Sequence, residues 1–218
     1  MYYHFSIFAG MFFNFHHHNP TEFGIYNLPK ENYSHQDYFS IGIHPMDITS
    51  DYEKTLQNIK IIAQNKNCIA IGECGLDALV PTDEQLQTKI FKLHIELAKV
   101  LQKPLIIHCV KRHNEIARLC KNLNIPVILH GFNKNKNIAN MLLEKGFYLS
   151  FGTALFKNLS LQNVFIETPL ERIFLETDAS PDEIEQVYIK AAELKQISVQ
   201  KLKSRIEDNI LNVLKLNL

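Results

Sequence analysis

Short apolar segments recur along the chain, separated by longer segments in which apolar residues return every three or four positions. The short segments are rich in β-branched and aromatic residues, which is typical of strands. They are FFNF (12–15), GIYNL (24–28), YFSIGI (38–43), CIAIGE (68–73), LIIHC (105–109), VILHGF (127–132), FYLSFG (147–152) and RIFLETD (172–178). We therefore predict eight strands, most of them apolar on both faces.

The longer segments predict helices. The clearest is 82–103, whose single apolar stripe consists of Leu86, Ile90, Leu93, Leu97 and Leu101. Thr82 or Asp83 offers an N-cap and Pro104 follows the last turn, so the start and stop signals agree with the period. Weaker helical patterns run over 52–65, 111–123, 136–145 and 181–217.

Apolar strands that alternate with helices are typical of a parallel sheet covered on both faces. Eight such units predict an α/β fold, the TIM-type (β/α)8 barrel, in which reactive side chains gather at the carboxyl ends of the strands. Residues 28–38 are too few for a helical crossover, which usually takes a dozen residues or more. We therefore expect the first two or three units to be abbreviated or irregular.

Composition and charge fit one globular domain. The chain has 218 residues, of which 46% are hydrophobic and 21% charged, and α/β barrels often have this length. Because 23 basic residues balance 23 acidic ones, the whole molecule has no net attraction for nucleic acid or membrane, and an anionic substrate must be bound by local charge. No uninterrupted apolar stretch reaches the roughly 18 residues of a membrane span.

Cysteines and the first residues bear on the compartment. The chain has four cysteines, namely Cys68, Cys74, Cys109 and Cys120. They form no CxxC pair and most lie in apolar stretches, which favours free thiols in a reducing cytosol over disulfides. Residues 1–10 lack the basic start of a signal peptide. We interpret them as an N-terminal extension, with Met11 as a possible start, and residues 11–218 as a single cytoplasmic barrel domain.

Three consecutive histidines follow the first predicted strand. Because successive side chains of a strand point to opposite faces, His16 and His18 share a face and His17 points away. Two imidazoles on one face can chelate a metal, although polar strand-end residues without a ligand give the same pattern. Other predicted strands also end in ligand-type residues, which are Glu73, His108, His130 and Asp178.

These six residues favour one shared site. Unpaired polar groups are costly to bury, and the carboxyl ends of parallel strands meet at one mouth of a barrel. Four imidazoles with two carboxylates suit Zn, Mn, Ni or Fe, and a mixed site also accepts Mg. The set is large enough for two divalent ions that share a carboxylate.

Seven motifs occur in a fixed order: FHHH (15–18), GIHP (42–45), GECGLD (72–77), PLIIHC (104–109), LHGF (129–132), LSFG (149–152) and ETDAS (176–180). Together they resemble the TatD family of metal-dependent hydrolases and DNases, and IEDNILNVL near the C-terminus is similar to the closing helix of that family. A single HxH is weak, but the ordered set is specific. The resemblance implies an amidohydrolase-like TIM barrel that hydrolyses phosphodiesters, often at DNA ends.

The resemblance also implies a binuclear site in which Glu73 bridges the ions. The first ion would be held by His16, His18 and Asp178. The second would be held by His108 and His130. Two ions about 3.5–4 Å apart can lower the pKa of a shared water and neutralise charge on a phosphoryl oxygen. Asp178 could accept the proton of that water, so Glu73 and Asp178 are the candidate catalytic residues.

Substrate-binding candidates follow from the same motifs. His44 of GIHP resembles a substrate-side position. Where the family often has an arginine after HC, this chain has Lys111 and Arg112, and Lys134 and Lys136 follow LHGF. Lys111, Arg112 and Lys134 are candidate phosphate contacts, with solvated helix-start residues as the alternative. We favour that alternative for Lys136.

Other polar and aromatic residues have plainer interpretations. Glu176 either orients a ligand or is paired in the core wall, and Asp77 is expected to hydrogen-bond a loop rather than to catalyse. We expect His17 to pack behind its strand and His94 to be a partly buried helix residue. The aromatic residues at the start of the barrel are interpreted as core rather than as a base-stacking platform; they are Phe12, Phe13 and Phe15.

Three functions remain open from the sequence. The first is a phosphodiesterase or deoxyribonuclease that uses two divalent ions, drawn from Mg, Mn, Zn, Ni or Fe, with DNA or another phosphodiester as partner. The second keeps the ions but hydrolyses a small amide, lactone or phosphate ester, since a fold does not fix a function. The third is a non-catalytic metal-binding protein. None requires a membrane or an obligate protein partner.

Overall fold

A computed structural model describes residues 10–29 and 37–214. In this part of the chain eight strands form a single sheet in sequence order, and every neighbouring pair is parallel. The strands are β1 (Asn14–His17), β2 (Gly24–Asn27), β3 (Phe39–Ile41), β4 (Cys68–Asp77), β5 (Leu105–Val110), β6 (Val127–Leu129), β7 (Tyr148–Phe151) and β8 (Ile173–Leu175). The predicted TIM-type barrel is confirmed.

Helices alternate with the strands from β3 onward. They are α1 (Tyr52–Ile62), α2 (Glu84–Leu101), α3 (His113–Leu119), α4 (Lys136–Glu144), α5 (Leu159–Glu167), α6 (Ile184–Lys195) and α7 (Val199–Leu214). Short 3-10 segments occur at Pro45–Asp47, Thr153–Phe156 and Leu170–Arg172. The single helix predicted over 181–217 is two helices, because Gln196, the residue after α6, has a left-handed conformation that ends the helix. Helix α5 was not predicted.

The first unit is abbreviated, as the sequence predicts. Residues 18–23 join β1 to β2 without a helix, and β2 pairs in parallel with β3. Most of the short link between β2 and β3, residues 30–36, lies outside the described part of the chain. So do residues 1–9 of the predicted N-terminal extension.

The barrel closes between β1 and β8 through the residues next to the candidate ligands. The Asp178 amide donates to the His16 carbonyl at 3.0 Å, and the His18 amide donates to the Asp178 carbonyl at 3.3 Å. Below them, the buried Asn14 side chain accepts from the Thr177 amide at 3.0 Å and donates to the Thr177 hydroxyl at 2.7 Å. The same hydrogen bonds that close the barrel therefore position three candidate ligands.

Aromatic residues of β1 lie in the core, as predicted. Phe13 and Phe15 are buried, and Phe12 is half-buried. Phe15 stacks on Phe174 of β8, with the ring centroids 3.9 Å apart. The four cysteines are free thiols, and three of them are buried.

Within residues 10–29 and 37–214, no helix has both the length and the apolar character that crossing a bilayer requires.

Candidate metal centre

Glu73 of β4 is the point on which the candidate ligands converge. Its Oε1 accepts from His130 Nε2 at 2.8 Å and lies 2.9 Å from His108 Nδ1. Its Oε2 lies 3.4 Å from His16 Nε2 and 3.8 Å from His18 Nε2. Because these residues belong to four different strands or strand ends, the parallel topology is what assembles them.

Asp178 completes the set from the end of β8. Its Oδ1 lies 3.2 Å from His18 Nε2 and 3.7 Å from His16 Nε2. His17 is buried and its ring lies against Tyr26, so it points away from the site as predicted. The structure therefore brings together all six side chains that the sequence nominated, and their assignment as metal ligands stays a prediction.

Glycines allow β4 and β5 to approach at this point. Gly75 pairs with His108 and has φ +151°, a conformation that side chains rarely adopt. A Cβ atom on Gly75 would lie 1.9 Å from the His108 carbonyl oxygen. The glycine of GECG therefore lets the strand that holds Glu73 pair closely with the strand that holds His108.

Electrostatics at the centre are dominated by Glu73 and His130. Burial raises the pKa of Glu73, but the positive charge of His130 and hydrogen bonds from the surrounding imidazoles outweigh it and hold this pKa far below its usual range. Burial lowers the pKa of His130, but Glu73 and Glu176 on either side raise it well above the ordinary value. The centre thus holds a buried carboxylate anion among imidazoles.

Asp178 and His18 form a second charged pair. The hydrogen bond to Asp178 is the main reason that the pKa of His18 is raised. Burial raises the pKa of Asp178, but the hydrogen bond from His18 and the charges of neighbouring histidines lower it further. Both carboxylates of the site are therefore ionised at neutral pH, as metal coordination requires.

The donor set fits a divalent cation. His16 is fully buried, yet its two ring nitrogens have no hydrogen-bond partner within the described residues. Unpaired buried nitrogens are costly unless a ligand takes them up. Ligand atoms of His16, His18 and Asp178 all lie within 4.8 Å of one another, and so do those of His16, Glu73 and His130. Imidazole with carboxylate suits Zn, Mn, Fe or Ni.

His44 faces the same pocket, but as a donor. Its Nδ1 accepts from the Met46 amide at 3.1 Å, so in the neutral ring the proton is on Nε2. That Nε2 lies 3.5 Å from Glu73 Oε1, and burial lowers the pKa of the ring. His44 Nε2 and the ligand atoms of Glu73 and His108 also lie within 4.8 Å of one another, the spacing of a metal site. Because a protonated nitrogen cannot coordinate, the geometry favours His44 Nε2 as a hydrogen-bond donor in the pocket over a role as a metal ligand.

The three basic candidates lie at the surface rather than among the ligands. Lys111 and Lys134 are exposed. Arg112 is half-buried, and its guanidinium pairs with Glu84 at the start of α2. Lys136 is exposed at the start of α4 and pairs with Glu167 on α5, which agrees with its interpretation as a solvated helix-start residue. Among these three candidates, the charge of Arg112 is therefore paired, whereas no ion pair of Lys111 or Lys134 is found within the described residues.

Two further residues lie next to the candidate ligands. From the sequence, the role of Glu176 stayed open and no role was predicted for Asn27. Glu176 is fully buried, and its Oε1 accepts from the Gly131 amide at 2.6 Å and lies 3.5 Å from His130 Nδ1. Its Oε1 therefore faces a candidate ligand, and an orienting role for Glu176 stays a prediction. Asn27 was missed; its Oδ1 accepts from the Glu73 amide at 3.2 Å. The available signal was its position as a polar residue ending an apolar strand.

His94 of α2 is fully buried rather than partly buried. Its Nε2 accepts from the Ile43 amide at 3.0 Å, and its Nδ1 donates to the Ile90 carbonyl at 2.9 Å. Both nitrogens are satisfied only by the neutral ring, and burial lowers its pKa to about 4. His94 thereby fixes the end of β3, one residue before His44.

Stability should depend on pH through His94. The unfolded chain protonates this ring near its ordinary pKa of 6.5 and the folded protein only near about 4, so unfolding takes up a proton between those values. Its contribution is complete above pH 6.5 and is lost as the pH falls. Relative to a His94→Gln variant, the wild type should lose about 2 kcal/mol of unfolding free energy between about pH 7.5 and pH 5, measured by urea denaturation. A pH-independent difference between the two proteins would contradict this assignment.

Histidines and carboxylates gathered at the carboxyl ends of eight parallel strands define an α/β barrel with a candidate metal centre. The sequence profile of the family described as TatD related DNase matches residues 24–215. The chain therefore belongs to the TatD family. The match includes Glu73, His108, His130 and Asp178 and begins after the histidines of β1.

Curated relatives agree with this membership, and a solved structure shares the fold. An uncharacterized metal-dependent hydrolase from Buchnera aphidicola subsp. Baizongia pistaciae is 36% identical to this chain. The alignment covers 64% of this chain and 55% of the relative. A protein of the same description from Escherichia coli is 30% identical over 78% of this chain and 71% of its own length. The crystal structure of a TatD homologue from Escherichia coli matches with a TM-score of 0.75 at 21% identity, covering 88% of this chain and 86% of its own. The chain thus spans about half the length of the Buchnera relative.

Proposed function

We propose that this protein is a divalent-metal-dependent hydrolase that cleaves phosphodiester bonds, with DNA as the substrate class. The observation that carries the proposal is that four imidazoles converge on the two oxygens of Glu73, and two of these imidazoles also face Asp178. His44 Nε2 lies in the same pocket. Family membership supports hydrolysis, and the family's description as related to DNases supports the substrate.

Each side chain has a role that its surroundings support. His16, His18 and Asp178 would hold one ion, His108 and His130 the other, and Glu73 would be shared. Such ions lower the pKa of water and neutralise negative charge on a phosphoryl oxygen. The Asp178 side chain is 46% exposed, so its carboxylate can accept a proton from water that enters the pocket. His44 Nε2 can donate to a phosphate oxygen.

The positions of the basic residues keep a second substrate class open. Arg112 is engaged by Glu84, and the net charge of the chain is zero. A long anionic polymer is usually met by several cations along its backbone, whereas a small phosphate ester needs only the metal centre and His44. Hydrolysis of a small ester is therefore the alternative function.

Metal titration on defined substrates tests the proposal. Purified metal-free protein is titrated with Mg, Mn and Zn and assayed on single-stranded DNA, duplex DNA and a small phosphodiester. DNA cleavage that appears with metal and disappears with chelator is expected. The Asp178→Asn variant, purified in parallel, controls for contaminating nuclease and should be inactive. Turnover of the small ester with intact DNA under every metal would reject DNA as substrate and favour the alternative.

A further inference from the structure

Asp77, at the last position of β4, contacts a candidate ligand from the side away from the pocket. His108 Nδ1 faces Glu73 at 2.9 Å, and His108 Nε2 lies 3.0 Å from Asp77 Oδ2. The other oxygen, Asp77 Oδ1, accepts from the Leu79 amide at 2.7 Å. The carboxylate is buried, so each of its oxygens has a defined partner.

The backbone of Asp77 is itself held by a buried side chain of α2. Gln87 Oε1 accepts from the Asp77 amide at 2.8 Å, and Gln87 Nε2 donates to the Asp77 carbonyl at 3.0 Å. Gln87 also donates to the Thr82 carbonyl at 2.8 Å, which fixes the loop between β4 and α2. The backbone of Asp77 is thus held at both its amide and its carbonyl by one side chain of α2.

The contact between His108 and Asp77 has the geometry of an imidazole N–H that donates to a carboxylate oxygen, which places a proton on His108 Nε2. Without metal, Nδ1 can carry a second proton and donate it to Glu73 Oε1 at 2.9 Å. When that proton leaves, the neutral ring keeps its proton on Nε2 and has a lone pair on Nδ1 for a cation. We propose that Asp77 is a positioning residue that keeps the proton of His108 on Nε2 and so keeps Nδ1 available to a divalent ion. This rests on the proposed role of His108 as a metal ligand.

The Leu79 amide makes this inference sharply testable. In an Asp77→Asn variant the backbone N–H of Leu79 cannot turn round, so it takes the amide oxygen and leaves the amide nitrogen facing His108. Two donors would then face each other unless His108 gives up its Nε2 proton. The proton would be on Nδ1, which could no longer coordinate. Asparagine, the closest replacement in shape, should therefore harm metal binding more than alanine, which forces no tautomer.

The experiment measures the proton and the metal separately. In 15N-histidine NMR spectra of the metal-free full chain, His108 Nε2 should carry a proton in the wild type, whether the ring is neutral or charged, and should lack it in Asp77→Asn. Titration calorimetry with Zn or Mn should show binding weakened by about 10–100-fold at one site, the range for lost partners of metal ligands. Asp77→Ala should bind metal more tightly than Asp77→Asn although it has the lower thermal stability.

Controls separate this inference from the proposed function. Asp51→Asn makes the same chemical change at an exposed position before α1 and should leave binding unchanged. If the wild type binds no divalent ion, the proposed function fails. If the wild type binds metal and Asp77→Asn keeps its Nε2 proton or binds equally well, only the role of Asp77 fails. Alanine weakening metal binding more than asparagine would also overturn it, since a packing role predicts that order.

Discussion

Replacing Glu73 with glutamine should abolish metal binding and reduce hydrolysis by at least about 10²–10³-fold, the range for removing one electrostatic stabilising group. Glu73 is buried and contacts His108 and His130 through one oxygen. Glutamine keeps the shape but removes the charge and turns one oxygen into an amide nitrogen, which cannot coordinate a cation. The imidazoles would then surround a neutral group, and two ions could no longer share a ligand.

Bound metal per chain and kcat/KM on the best substrate measure this effect. Glu96→Gln is the matched control, because it makes the same change on the exposed face of α2, where Glu96 pairs with Lys99 and with no other charged side chain among the described residues. The control should retain both metal and activity. If Glu73→Gln kept the activity of the wild type, Glu73 would not be a metal ligand, and the proposed arrangement in which it is shared by two ions would be wrong.

The barrel could be predicted from the sequence because its strands are apolar on both faces and its ligands stand at strand ends. Both patterns are local, and parallel topology converts them into a shared site. Helix α5 could not be predicted in the same way. Its segment, LSLQNVFIE, is largely apolar all round, with Leu161 and Phe165 buried but Leu159 and Ile166 exposed, so the period gives no clear face.

The buried face of α2 shows where tertiary contacts override the pattern. The predicted stripe includes Leu93, which is exposed, whereas the polar Gln87 and His94 are buried. Periodicity counts apolar residues and cannot foresee that a glutamine and a histidine bond the backbone at the ends of two strands. These polar contacts widen the buried face beyond the predicted stripe and hold the backbone of Asp77 and of Ile43, the residue before His44.

Partners of the ligands were harder to predict than the ligands. Asp77 stands four residues after Glu73 on one strand, so the period of two places both on the same face, a signal that the sequence offered. Its contact with His108 depends on the register between β4 and β5, which includes an irregularity between Ile71 and Cys74. Register is a property of the assembled sheet, which the sequence of one strand does not contain.

The second large effect is expected on stability. Phe15→Ala should lower the free energy of unfolding by about 3–5 kcal/mol, as for other buried phenylalanines, out of a total of about 5–15 kcal/mol for a typical domain. Phe15 is fully buried and stacks on Phe174 across the seam that closes the barrel, so alanine leaves a cavity between β1 and β8.

Urea denaturation followed by circular dichroism measures the loss of stability. Leu159→Ala, at a side chain that is 73% exposed on α5, is the control and should change the unfolding free energy by less than about 0.5 kcal/mol. Since Phe15 immediately precedes His16, a cavity at this seam should also weaken metal binding. A cavity of the same size elsewhere in the core should leave metal binding unchanged. Unchanged stability in Phe15→Ala would show that the aromatic run before the histidines does not pack into the barrel, and the placement of His16 and His18 would fall with it.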